Sequence, residues 1–138
     1  MTENQPLVTT FDMDRLSNLI KSSRIAGYQQ KFYLKQLNEE LEKAKVVNPQ
    51  DIPKNIITMN STVRIRDLSS GEKKDFTLVF PSDARIEEGK ISILSAVGIA
   101  LIGYRVGDVI EWQVPSGLKR LKIEQILYQP EASGHYDR

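Results

Sequence analysis

One stretch, Gly89–Asp108, limits the folds open to this chain more than any other. It begins with alternating apolar and polar side chains, which is the two-residue period of a strand with one buried face. Ser95 can then cap a short helix by accepting a hydrogen bond from a backbone N–H group. The apolar positions of that helix form a single stripe: Val97, Ala100, Leu101 and Tyr104. Because so short a helix is unstable alone, we expect it to pack on a sheet formed by the flanking strands.

The same alternation marks other strands from Met59 onwards. Apolar side chains occupy every second position in four further segments: Val63–Ile65, Phe76–Phe80, Ile110–Val114 and Leu121–Ile123. The alternation slips between Ile123 and Ile126, which predicts a bulge or a strand end there. Short strands with one small helix predict an α+β domain over residues 59–138, with a mostly antiparallel sheet.

Residues 1–47 are predicted to be helical after a loose start over residues 1–9. Thr10 is a plausible N-cap for a first helix, with Asp12 in the first turn, where negative charge suits the helix dipole. A second helix is predicted from about Gln29 to Lys45. Its apolar residues follow heptad spacing: Leu34, Leu37, Leu41 and Ala44. Two such helices predict a short antiparallel hairpin, a coiled coil that leans on the rest of the protein or on a partner.

Residues 48–58 are predicted to form the junction between this hairpin and the β-rich domain. Pro49 and Pro53 prevent the helix from continuing. The apolar residues of this segment and of the preceding Val46 and Val47 indicate a packed crossing and not a floppy linker. Beside the leucine seam, Phe32 and Tyr33 are expected to fill contacts within the hairpin or against the second domain.

Charge and composition exclude several classes of protein. The formal net charge is +1, and neither half is strongly basic: residues 1–58 carry 8 basic and 7 acidic side chains, and residues 59–138 carry 11 of each. This balance disfavours direct, sequence-specific nucleic-acid binding. The chain has no cysteine, which excludes thiolate catalysis and disulfides. No apolar run is long enough for a membrane span and no secretory signal is visible, so a cytoplasmic protein is expected.

The sequence offers no catalytic or metal-binding motif. His135 is the only histidine and is expected to be a solvated residue of the C-terminal tail. No P-loop, G-x-G-x-x-G, G-x-S-x-G or H-E-x-x-H pattern occurs. Glu39, Glu40 and Glu42 are expected to form a solvated helix face, with Glu39 and Lys43 as an i, i+4 ion pair. We therefore expect a binding protein that is not an enzyme and has no cofactor or metal.

Residues 59–128 resemble the C-terminal domain of the bacterial Gre transcript-cleavage factors. The family has an S-P-L-G-type corner, an A-L-L-G-type helix and a V-G-D turn, and the corresponding segments here are Ser95–Gly98, Ala100–Gly103 and Val106–Asp108. Asp67–Glu72 is similar to the family's D-L-x-x-G-E hairpin, and Pro115–Gly117 to its P-G-G turn. The remainder resembles one branch, the Rnk proteins, which are named as regulators of nucleoside diphosphate kinase. Its marks are Thr58–Ser61, Tyr128–Ala132 and the short hairpin.

This resemblance implies an FKBP-like fold for residues 59–138 and binding to bacterial RNA polymerase. Gre factors dock this domain at the rim of the polymerase secondary channel, so competition with them is implied as well. The docking corner corresponds to Ser95, Ala96, Val97 and Gly98. Two positions depart from the family pattern: Leu94 replaces an acidic residue, and Ala96 replaces a proline.

Gre factors insert a long coiled coil into the channel, and two carboxylates at its tip help to hold a catalytic Mg²⁺ ion. The corresponding tip here, Lys21–Lys31, contains no carboxylate. Lys21, Arg24 and Lys31 make it basic, so it would repel the metal ion. The resemblance therefore implies a factor that docks on the polymerase without stimulating transcript cleavage.

Two alternatives remain open from the sequence. The first is an FKBP-like peptide-binding or ligand-binding module, or a prolyl isomerase. An isomerase needs an aromatic-lined apolar pocket, but the aromatic residues here fit a hydrophobic core equally well: Phe76, Phe80, Tyr104 and Trp112. The second is direct regulation of nucleoside diphosphate kinase, which the name of the branch suggests but no residue explains.

Overall fold

A computed structural model describes residues 5–22, 28–114 and 117–136. The N-terminal part contains a strand β1, two helices and a second strand: β1 Leu7–Thr9, α1 Thr10–Ser22, α2 Tyr28–Lys43 and β2 Lys45–Val47. The remainder contains five further strands and one helix within the described ranges: β3 Thr62–Asp67, β4 Lys73–Val79, β5 Lys90–Ser92, α3 Ala96–Leu101, β6 Val109–Val114 and β7 Gly117–Tyr128. This is the α+β composition that the sequence predicts.

The main sheet has the strand order β5-β4-β3-β7-β6. Its neighbours are antiparallel except for β4 and β5, which run parallel. The slip in alternation between Ile123 and Ile126 corresponds to one register shift between β3 and β7, and a second shift follows between Ile126 and Tyr128. Val63 pairs with Ile126 and Ile65 with Ile123, so an extra residue of β7 is accommodated at each shift. The predicted bulge is therefore confirmed, and the strand continues through it to Tyr128.

A small parallel sheet of β1 and β2 joins the two ends of the N-terminal segment, which the sequence does not predict. Its three-residue strands are too short for a periodic pattern to be detected. The second helix consequently ends at Lys43 and not at Lys45, and Leu7–Thr9 of the predicted loose start form a strand. Thr9 replaces the predicted Thr10 as the cap of α1, because its Oγ1 accepts a hydrogen bond from the Asp12 N–H at 3.0 Å.

The hydrophobic core is continuous from the inner face of the sheet, through α3, to the leucine seam of α2. Leu37 is fully buried, and Leu34 and Leu41 are 7% exposed. Helix α2 contacts both α1 and α3. Of the two aromatic residues beside the seam, Tyr33 packs against the core, whereas Phe32 is 55% exposed, contrary to the expectation that it fills an internal contact.

The segment before β3 is packed, as expected for residues 48–58. Ile56 and Ile57 are fully buried, and Ile52 is 8% exposed. The Ile57 N–H donates to the Tyr104 carbonyl and the Gly103 N–H donates to the Ile57 carbonyl, both at 2.9 Å. These bonds tie the segment to the end of α3.

Candidate docking cleft

The inner face of the main sheet is only partly covered by α3, and the uncovered part forms a cleft of about 690 Å³. Its floor consists of apolar side chains from four strands: Ile65, Phe76, Ile91 and Leu121. Residues Ala84 and Ile86 of the loop before β5 lie on one side, and Tyr33 of α2 lies on another. Ile86 is 69% exposed, so the rim offers apolar surface directly to a partner. A concave apolar surface of this size is typical of a binding site.

The corner predicted from the sequence forms one wall of this cleft, through Ser95, Ala96 and Val97. The Ser95 hydroxyl donates to the Ser92 carbonyl at 2.7 Å and accepts from the Gly98 N–H at 3.1 Å. Ser95 is therefore the N-cap of α3, as the sequence predicts. Because this hydroxyl is already used twice, Ala96 and Val97 are the better candidates for direct contact with a partner.

Gly98 is buried and has a packing role that the sequence does not reveal. A Cβ atom at this position would lie 2.3 Å from the Ser92 carbonyl oxygen and 3.1 Å from the Ile93 Cα atom. Glycine therefore allows α3 to lie directly against the end of β5. This close approach sets the position of the wall formed by Ala96 and Val97.

Charged groups at the rim of the cleft are largely balanced. Asp67 Oδ2 lies 3.3 Å from Lys119 Nζ, and Asp67 Oδ1 accepts hydrogen bonds from the Ser69 hydroxyl at 2.7 Å and the Ser69 N–H at 2.9 Å. The Ser69 bonds, the hydroxyl foremost, lower the pKa of Asp67 to about 2. Glu72 and Lys74 add one charge of each sign, and Lys90, which also lines the cleft, lies 3.5 Å from Glu88 Oε1. The cleft therefore suits a partner surface that is mainly apolar.

Of the predicted tip residues, neither Lys21 nor Lys31 lines the cleft. Lys21 is exposed at the end of α1 and Lys31 is exposed in α2, while Arg24 lies outside the described residues. On the acidic face of α2, Glu39 and Glu42 are exposed as predicted. The ion pair of Lys43 is with Glu40 at 2.6 Å and not with Glu39, and Glu40 also accepts a hydrogen bond from the Tyr104 hydroxyl at 2.9 Å.

The described part of the chain has no group of three or more His, Asp or Glu side chains that could hold a metal ion. His135 is half-buried and its Nδ1 lies 2.6 Å from the Tyr128 hydroxyl, so it is a bonded part of the tail and not simply solvated. No helix in the described ranges has the length and apolar character needed to cross a membrane.

Sequence reasoning missed a largely buried polar cluster away from the cleft lining, which we call the polar joint: Asp12, Arg15, Thr58, Ser61 and Glu131. Asp12 is fully buried, although an aspartate in a first helical turn is normally exposed. Its Oδ2 accepts from the Met59 N–H at 3.0 Å, and its Oδ1 accepts from Arg15 Nη2 at 2.6 Å. Burial raises the pKa of Asp12 despite these bonds. The only hint in the sequence is that Thr58–Ser61 and Tyr128–Ala132 are both motifs of one branch.

Comparisons with known proteins place these features in a family. The family model for the C-terminal region of the GreA/GreB transcription elongation factors matches residues 52–128, and the model for the Rnk N-terminus matches residues 7–47. This chain belongs to the Rnk family. The regulator of nucleoside diphosphate kinase from Escherichia coli (strain K12) is 37% identical to it over 131 residues, which is 94% of each chain.

A curated Gre elongation factor matches a smaller part of the chain, and a solved structure gives the fold. The transcription elongation factor GreA from Syntrophotalea carbinolica is 35% identical over 95 residues, which is 69% of this chain and 60% of that protein. Among solved structures, a GreA/GreB elongation factor from Nitrosomonas europaea superposes with a TM-score of 0.74 at 39% identity, covering 91% of this chain and all of that one. The fold is therefore Gre-like.

Proposed function

We propose that this protein is a transcription regulator that binds bacterial RNA polymerase through its C-terminal region, at the rim of the secondary channel, and does not stimulate transcript cleavage. The observation that carries the proposal is the cleft, because the corner that corresponds to the Gre docking segment forms one of its walls. Membership of a family related to the Gre elongation factors supports the choice of partner.

In this proposal the two parts of the chain have separate tasks. Residues 59–138, an FKBP-like domain by resemblance, dock on the polymerase. Residues 1–47, as a short helical hairpin, point towards the channel. The segment Lys21–Lys31 contains no carboxylate in its sequence, so a catalytic Mg²⁺ ion would find no ligand from it. Binding without cleavage would make the protein a competitor of Gre factors.

The experiment is a titration of labelled protein against core RNA polymerase, with a Gre factor as competitor and a stalled elongation complex to score cleavage. The proposal expects saturable binding, displacement by the Gre factor, and no cleavage above background. Absence of binding at low salt refutes the choice of partner. Cleavage above background refutes the non-catalytic role.

Two matched variants locate the docking surface. Ile86→Asp places a charge on the exposed apolar rim of the cleft, and Val109→Asp does the same at a residue that is 48% exposed and not part of the lining. Both side chains are exposed enough that folding should tolerate the change within about 0.5 kcal/mol. We expect Ile86→Asp to weaken polymerase binding and Val109→Asp to leave it unchanged. Equal effects, or none, would remove the cleft from the interface.

The same cleft favours a second candidate, a peptide-binding or ligand-binding module of the FKBP type. Phe76 and Tyr33 line it, whereas Phe80 and Tyr104 do not, so the lining is less aromatic than the sequence allowed. A proline-peptide isomerisation assay tests this function: turnover above background that Ile86→Asp abolishes would support it. Direct regulation of nucleoside diphosphate kinase rests on the name of the Escherichia coli relative alone. Co-elution with the purified kinase tests it.

A further inference from the structure

The polar joint connects segments that are far apart in the sequence and do not line the cleft. Thr58 Oγ1 donates to Glu131 Oε1 at 2.8 Å and lies 2.9 Å from the Ser61 hydroxyl, which also accepts from the Thr58 N–H at 3.0 Å. All three residues are buried. The two motifs that mark the Rnk branch, Thr58–Ser61 and Tyr128–Ala132, therefore meet in one hydrogen-bonded cluster.

The C-terminal tail holds the junction through a second pair of bonds. Gln129 is 3% exposed, and its Nε2 donates to the Pro53 carbonyl at 2.8 Å and to the Ile56 carbonyl at 2.7 Å. The Ile56 carbonyl is buried and the Pro53 carbonyl partly buried, and such groups are costly to leave without a donor, so these bonds hold the junction in one conformation.

Helix α1 attaches beside this fixed junction through Asp12, which binds the next residue, Met59, and through Arg15. Both carboxylate oxygens of Asp12 are used, one for the Met59 N–H and one for Arg15. The Arg15 guanidinium lies 4.1 Å from the Phe11 ring centroid and 4.8 Å from that of Phe80, which follows β4. Asp12 therefore binds the residue that follows the junction, and Arg15 contacts Phe80 at the end of the sheet.

We infer that the polar joint is an orienting device, which fixes the direction in which α1 and α2 project from the sheet. The hydrophobic effect is itself non-directional, so the burial of apolar surface specifies an orientation less sharply than hydrogen bonds do. The hydrogen bonds that the carboxylates of Asp12 and Glu131 accept require one geometry, and these carboxylates are held in a place where burying charge is unfavourable. The role of that direction rests on the proposed function, since it decides whether the hairpin points into the polymerase channel.

Distance measurements on the free protein test the inference. The chain has no cysteine, so Lys35→Cys on α2 and Gln125→Cys on β7, both exposed, give a unique pair of spin-label sites. Double electron–electron resonance should give one narrow distance distribution. In this background Asp12→Ala should at least roughly double its width or shift its centre, because the helices then sample several orientations.

Two further variants complete the design. Thr58→Val keeps the shape of the side chain but removes the hydroxyl that holds Glu131, and it should broaden the distribution in the same way. Asp14→Ala changes an exposed aspartate of the same helix and should leave the distribution unchanged. Circular dichroism must show an intact sheet in all variants, because a joint that only orients the helices leaves the sheet folded.

The inference is overturned if Asp12→Ala and Thr58→Val keep the narrow distribution of the parent protein. It is equally overturned if both variants lose the sheet, since the cluster would then be required for folding and would not be an orienting joint. The measurement needs no polymerase. A failure of polymerase binding therefore refutes the proposed function alone, and unchanged distances refute the joint alone.

Discussion

Replacing Gly98 by alanine should destabilise the protein, although helix propensity alone predicts the opposite. Alanine is about 1 kcal/mol more favourable than glycine within a helix. The new Cβ atom would, however, lie 2.3 Å from the Ser92 carbonyl oxygen, a distance that real Cβ contacts do not reach. The sign of the effect therefore depends on whether α3 can move away from β5.

The magnitude follows from what the methyl group meets. Overpacking of this kind costs about 1–3 kcal/mol, and the upper end applies where the obstacle is main chain that cannot rotate away, as here. Subtracting the gain in helix propensity leaves a net loss of about 2 kcal/mol. For a chain of 138 residues, this corresponds to a fall in Tm of roughly 6–10 °C.

Urea unfolding followed by circular dichroism measures the loss, with Gly71→Ala as the control. Gly71 has a φ of +77°, and a Cβ atom added there would meet no other atom within 4 Å, so its substitution tests backbone strain without a clash. The strain should cost about 1–2 kcal/mol. A Gly98→Ala variant as stable as the parent protein, or more stable, would refute the close approach of α3 to β5. It would also remove the reason for the position of the cleft wall.

Three other predictions concern the seam, the polar joint and the rim of the cleft. Leu37→Ala should reduce the free energy of unfolding, measured in urea, by about 2–5 kcal/mol because Leu37 is fully buried. Phe32→Ala is the control and should change it by no more than about 0.5 kcal/mol, because that side chain is 55% exposed. If the two variants lost similar amounts of stability, the seam would not belong to the core. Burial raises the pKa of Asp12 above 3.8, so its ionisation opposes folding. The free energy of unfolding of the parent protein, relative to that of Asp12→Asn, should therefore rise as the pH falls from above the pKa of Asp12 in the folded protein towards 3.8. If this difference in stability stayed constant or fell between pH 7 and acidic conditions, the raised pKa of Asp12 would be wrong. Asp67 should titrate with a pKa of about 2 in carboxyl NMR, and Ser69→Ala should raise that value; a pKa near 3.8 in the parent protein would show that the Ser69 bonds do not hold the carboxylate.

The corner at Ser95–Gly98 shows which features can be predicted from neighbouring residues and which cannot. The cap and the short helix were predictable, because a serine before an apolar stripe is a local signal that needs no knowledge of distant residues. The cleft beside it was not predictable. It depends on Tyr33 of α2, Ile86 of a loop and the floor of the sheet meeting in space, and no spacing in the sequence encodes that meeting.

The environment of Asp12 also depends on residues remote in the sequence. Its position in the first turn of α1 follows from the sequence. Its burial depends on Met59, which follows the junction and supplies an N–H group 47 residues later in the chain. The pairing of β1 with β2 likewise depends on residues far apart in the sequence. A strand of three residues is too short to show an alternating pattern, so it is recognised only when its hydrogen-bonded partner is known.

The sequence by itself determined the local features of the chain: the periods of the strands and helices, the cap at Ser95 and the bulge near Ile123. It also determined the basic composition of Lys21–Lys31 and the motifs of the family. The local features are relations between residues a few positions apart, which backbone geometry converts into structure. Only the tertiary structure decided where Gly98 must be glycine, what Asp12 binds and which faces enclose the cleft. Those outcomes depend on distances between segments remote in sequence, and they are set by the packing of the whole core.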